Sequence, residues 1–153
     1  MNIGGCYMDK DDDINHLRDL EEFKSGIGQT ETRCKELIYQ YPWVIKYIIN
    51  QTDELCKFAI NRSVYSFVYI KKQTPELCKL AVAIDPNILE YIENQPTSLC
   101  KLAVELNPWA IKYVRNQTPD LCKLAIESNK WTLKYIDRTK FPEMREYWRL
   151  LYD

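Results

Sequence analysis

QTPELCKLAVAIDPNILEYIEN, residues 73–94, is the stretch whose reading decides the fold. Thr74 is a good helix N-cap, Pro75 suits the first helical position, and Glu76 suits the positive end of the helix dipole. From Pro75 to Ile84, at about 100° per residue, Leu77, Cys78, Leu80, Ala81, Val82 and Ile84 cover an arc of about 200°, with Glu76, Lys79 and Ala83 opposite. An arc that wide packs on more than one side. Asp85-Pro86 is a second cap-and-proline start. The helix it opens carries Ile88, Leu89, Tyr91 and Ile92 inward, with Asn94 as its stop.

On either side the same stretch recurs. Cys34, Cys56, Cys78, Cys100 and Cys122 are spaced by 22 residues, as are Tyr47, Tyr69, Tyr91, Tyr113 and Tyr135. Lys35, Lys57, Lys79, Lys101 and Lys123 follow each cysteine, and Gln29, Gln51, Gln73, Gln95 and Gln117 open each unit. Four coincident ladders define five repeats, 29–50, 51–72, 73–94, 95–116 and 117–138, with a partial sixth at 139–153. The fourth opens Gln95-Pro96-Thr97, with proline and threonine exchanged, which weakens its helix start. A leucine-rich horseshoe has a similar period, but it needs an L-x-L strand alternation. LCKLAVELN, from Leu99 to Asn107, has helical spacing instead. Two helices of about three turns cannot bury so wide an arc alone. The expected fold is therefore all-α, a right-handed α-solenoid of stacked 22-residue helix-turn-helix repeats with N- and C-terminal capping helices. Residues 1–28 would form a tail and a capping helix from Ile14 to Lys24, with Asp13 as N-cap. At the other end Pro142 would open a capping helix with Met144, Tyr147, Trp148 and Leu151 in one stripe and Leu150 beside it.

The repeat Q-T-P-E-L-C-K-L-A-V…N-P…Y-I resembles the short Cys/Tyr repeats of proteins from giant amoeba-infecting DNA viruses. The likeness covers residues 29–138. It implies helical repeats and a viral origin, hence host cytoplasm or virion. It carries no defined activity and no site residues.

The chain of 153 residues is 46% hydrophobic and 28% charged, which excludes a disordered chain, and its net charge of −1 does not suggest a polybasic binder. No apolar run reaches the ~20 residues of a membrane span, so neither a membrane nor export is expected. Metal binding needs cysteines that converge on one point, whereas these fall one per repeat on helices about 8–10 Å apart, beyond disulfide reach. They read as small apolar packing residues in a reducing, intracellular setting, with Cys6 the reactive thiol. Residues 1–28 carry seven acids and three bases, and residues 29–153 fifteen and eighteen, so the repeat surface is weak for a phosphate backbone. Glu54–Lys57, Glu76–Lys79 and Asp120–Lys123 read as solvated i,i+3 pairs. Enzyme signals are absent: His16 stands alone, Glu21-Glu22 reads as a solvated face, and Gly26-Ile27-Gly28 lacks the rest of a phosphate loop. No cofactor is expected. The tyrosine ladder reads as packing between repeats, each hydroxyl reaching a backbone group or water. Four residues before each tyrosine stand Trp43, Tyr65, Asn87, Trp109 and Trp131, about 40° beyond it on an α-helix. Trp43, Tyr65, Trp109 and Trp131 form the candidate partner surface. The expected function is non-enzymatic scaffolding of protein–protein interaction, self-association included. The alternatives are a nucleic-acid-contacting repeat protein and a structural component of a virus particle.

Overall fold

A computed structural model describes residues 20–150, and among them every regular element is helical. A short helix α1 (Leu20–Lys24) precedes five ten-residue α-helices: α2 (Glu31–Gln40), α3 (Asp53–Arg62), α4 (Pro75–Ile84), α5 (Thr97–Leu106) and α6 (Pro119–Ser128). Each of the five is followed by a six-residue 3-10 helix: η1 (Pro42–Tyr47), η2 (Val64–Tyr69), η3 (Pro86–Tyr91), η4 (Pro108–Tyr113) and η5 (Lys130–Tyr135). The chain ends in η6 (Arg138–Lys140), η7 (Pro142–Met144) and α7 (Arg145–Leu150).

Local chemistry starts and stops α2–α6 as the sequence predicts. The hydroxyls of Thr30, Thr52, Thr74 and Thr118 accept the N–H three residues on, at 3.3–3.4 Å. α5 is the exception. Its N-cap is Pro96, which has no side chain to accept, so the helix opens at Thr97 without that bond. Each of the five helices ends where the next residue leaves helical geometry, as at Asp85 (φ −140°, ψ 107°), and a proline follows in three units.

The second element of each unit differs from expectation. It is a 3-10 helix of two turns, not an α-helix of three. The extended residue before it restarts the chain, and i→i+3 bonds follow, such as Ile88 N–H to Asp85 O (3.0 Å) and Ile92 N–H to Leu89 O (3.2 Å). At 3.0 residues per turn each step is about 120°, so residues three apart eclipse. Ile88, Leu89 and Ile92 are buried, but Tyr91 swings out and is 46% exposed. Ile84, at the last turn of α4, also faces solvent instead of the core.

From α2 to α6 each α-helix packs on the next, and from η1 to η5 each 3-10 helix packs on the next, giving two layers that share one apolar cluster. At the N-terminal end Phe23 of α1 is buried in that cluster. Gly26, at φ +96°, ends α1 with the crossed bonds Gly26 N–H to Phe23 O and Ile27 N–H to Glu22 O. A side chain there would stand 2.5 Å from Ile49 Cδ1. Asp13, the predicted cap, and the first part of the expected helix from Ile14 lie outside the described residues. At the other end the helix expected from Pro142 is split into η7 and α7; Phe141 and Met144 are buried, Tyr147 is half-buried and Leu150 exposed, while Leu151 lies outside the described residues.

Candidate functional site

The glutamine ladder, which sequence reading uses only to mark repeat boundaries, ties the 3-10 layer together. Gln51 Nε2 donates to Ile45 O in η1 (2.8 Å) and to Tyr69 O at the end of η2 (3.0 Å), while its Oε1 accepts from Lys71 N–H (2.8 Å). Gln29 and Gln95 make the same three bonds at the same spacings, Gln29 reaching back to Phe23 O of α1. Gln73 bonds Tyr91 O and Glu93 N–H; Gln117 bonds Ile111 O and Tyr135 O. The physical reason is orphan carbonyls. The tyrosine carbonyl at the end of each two-turn helix is such a group, whereas the carbonyl six residues before the glutamine also accepts an N–H three residues on, and a primary amide supplies two donors and an acceptor at once. In the tyrosine ladder, then, it is the main-chain carbonyl that recurs as a bonded group. Cations add to this in two units: Lys71 Nζ donates to Ile48 O (3.0 Å) and Arg115 to Glu93 O (2.8 Å).

The cysteine ladder sits on the α-layer, with all five thiols buried and unbridged. Burial pushes every one upward, Cys56 and Cys122 to about 11, so these sulfurs stay protonated at neutral pH. Cys56 Sγ lies 3.9 Å from Gln51 O and Cys100 Sγ 3.8 Å from Gln95 O. Among the described residues no three His, Cys, Asp or Glu side chains converge as metal ligands, and no helix is long and apolar enough to cross a membrane. Cys6 and His16 lie outside the described residues. The lysine ladder has ordinary partners: Lys35 pairs with Glu31, Lys101 with Glu105 at 3.7 Å, and Lys123 lies over the Tyr147 ring.

The four candidate surface aromatics fall into two kinds. Trp43 and Trp109 are half-buried, Tyr65 is 49% exposed, and Trp131 is 68% exposed. Trp109 meets the edge of Tyr135 in the next unit (centroids 5.9 Å, planes at 77°), and Trp43 stands between Tyr41 and Tyr47. Because η1–η5 turn by about 120° per residue, the tyrosine four positions on lies on a different edge from the tryptophan, not 40° away. The residue three positions on is the one that eclipses it. That position holds Lys46, Val68, Glu90, Lys112 and Lys134, a set that sequence reading at helical spacing missed.

Lys46 lies over Trp43 (4.8 Å), Tyr47 (4.8 Å) and Tyr69 (5.7 Å). Lys112 lies over Tyr113 (4.4 Å), Lys130 over Trp131 (5.5 Å), and Lys134 over both Trp109 (5.2 Å) and Tyr135 (4.8 Å). Charge is also divided between the layers. η1–η5 carry four lysines against one acid, Glu90, whereas α2–α6 carry seven Lys and Arg against eight Asp and Glu. The slight positive balance of the repeats therefore collects on the face that holds the aromatics. A groove of about 400 Å³ between α4 and α5 is mostly apolar, lined by Pro75, Pro96, Leu99 and Leu102, with one ammonium (Lys79), one hydroxyl (Ser98) and the amides of Gln73 and Asn94. Compared with protein families, with curated proteins and with solved structures, the chain finds no match.

Proposed function

We propose that the chain is a non-enzymatic helical-repeat scaffold, a right-handed α-solenoid of 22-residue units, that binds another protein or a second copy of itself through the face of η1–η5. The observation that carries the reading is the row of exposed aromatics on that face, Tyr65, Tyr91, Trp131 and Tyr135, in a layer whose glutamine bonds repeat from unit to unit. Large aromatics left in water within one layer, here from two registers of the repeat, are what protein-binding surfaces use as anchors. The like-with-like contacts of α2–α6 and of η1–η5 support a stacked array.

Two tryptophans test it together. Trp131→Ala should weaken association, measured by sedimentation or by titration with a captured partner, by at least ~2 kcal/mol, while its unfolding free energy stays within about 0.5 kcal/mol. Trp109→Ala should lower stability, because Trp109 packs on Tyr135 across the unit boundary. If Trp131→Ala leaves association unchanged, the aromatic face is not the binding face.

A further inference from the structure

The exposed aromatics of the 3-10 layer do not stand in a neutral surface. In η4 and η5 the charged residues are Lys112, Lys130 and Lys134, all exposed and with no acid among them. Each ammonium is stacked on a ring, Lys112 on Tyr113, Lys130 on Trp131, and Lys134 between Trp109 and Tyr135. Stacking on a ring face holds a lysine in place, and of the three N–H donors of an ammonium those pointing away from the ring face outward. The rest of the face is different. Lys46 in η1 is half-buried under three rings, η2 has no charged residue, and η3 contributes Glu90. Lys24 and Lys46 on the rings of the first unit are half-buried, so the exposed lysines stacked on aromatics of η1–η5 are those of the last two units.

We infer that the η4–η5 face is a docking site for an extended acidic peptide, whose carboxylates meet Lys112, Lys130 and Lys134 while its apolar side chains cover Trp131 and Tyr135. This deepens the scaffold reading above and rests on it. Single-stranded nucleic acid is the other polyanion with both chemistries. It needs open ring faces for base stacking and an unbroken cationic track for phosphates. Here the cationic track is broken, since η2 carries no charged residue and Glu90 stands one unit before Lys112. Carboxylates need only the outward N–H donors, which stacking leaves in place.

The test uses the full chain and three fluorescein-labelled probes: a peptide alternating glutamate and leucine, its glutamine counterpart, and oligo-uridylate, each followed by anisotropy. The acidic peptide should bind, and the glutamine peptide should bind at least about tenfold more weakly. Lys112→Gln with Lys134→Gln should cost about five- to tenfold in affinity for the acidic peptide, and Lys112→Arg with Lys134→Arg should restore it. Lys35→Gln with Lys57→Gln, on the α-layer, should change it by less than about twofold. Tighter binding of oligo-uridylate than of the acidic peptide overturns the inference, as does an equal loss from the α-layer lysines. If the lysine substitutions change nothing while Trp131→Ala still abolishes association, the acidic peptide is wrong and the scaffold reading stands. If Trp131→Ala also changes nothing, both fall.

Discussion

The α-layer and the 3-10 layer have the same number of helices and the same period, yet they are held by different forces. In the α-layer Cys78, Ala81 and Val82 and their equivalents are apolar side chains buried almost completely. The outer faces of its helices carry balanced charge. In the 3-10 layer, residues such as Ile88 and Leu89 fill the inside, but part of the union between neighbours is polar, a glutamine amide bridging two carbonyls in four of the five units. Apolar contact tolerates substitution by shape, whereas amide bonding tolerates none that removes donors. The difference teaches where each layer is fragile.

The largest expected effect lies in the polar layer. Gln51→Ala should cost about 2–4 kcal/mol in urea unfolding, because it leaves the part-buried carbonyl of Tyr69 and the Lys71 N–H without this partner and takes the second donor from Ile45 O, which keeps only the Ile48 N–H. Gln51→Met, which keeps the chain length and removes the amide, should cost as much. If methionine restores stability, the glutamines fill space, and the contrast between the layers fails. In the apolar layer Cys78→Ser should cost about 1–3 kcal/mol by burying a hydroxyl. A loss from serine equal to that of Gln51→Ala would erase the ranking.

Proton linkage gives a smaller test. Cys56 and Cys122 are pushed from an ordinary value near 9 to about 11 by burial. Between those values the unfolded chain releases protons that the folded chain keeps, so the contribution is fully present below about pH 9 and is lost as pH rises towards about 11. Urea midpoints should therefore fall with rising pH in that window. They should fall less steeply in Cys56→Ala with Cys122→Ala. An equal slope in both proteins would mean the thiols ionise as freely folded as unfolded.

The α-layer was legible because its signals are local. Thr74, Pro75 and Glu76 define a start within three residues, and Leu77 to Val82 define a face within two turns. The 3-10 layer was not. PNILEY has only six residues, too few to separate a period of 3.0 from one of 3.6. What fixes its end is the side chain of Gln73, 18 residues earlier, which bonds the Tyr91 carbonyl. The same error of period hid the lysines beneath the rim aromatics, since at α-helical spacing a residue three positions on lies about 60° away and at 3-10 spacing it eclipses. Summing charge over the whole array concealed a further property, that the acids lie mostly in one layer. The aromatic positions themselves were readable as a ladder. Their division into the half-buried Trp109 and the open Trp131 was not, because it depends on whether a following unit supplies a tyrosine edge, as Tyr135 does for Trp109.

Position 139, where the ladder would place a sixth glutamine, holds Thr139, whose short hydroxyl turns back to Asp137 Oδ1 at 2.6 Å. At the other end Gln29 reaches the carbonyl of Phe23 in α1, so the first amide closes onto a cap. Four of the five glutamines work like couplings between carriages of a train, gripping the element before and their own unit, while Gln73 holds its own unit alone. Deleting a whole unit would leave the remaining couplings opposite equivalent mates, whereas the loss of one or two residues would disengage two at once.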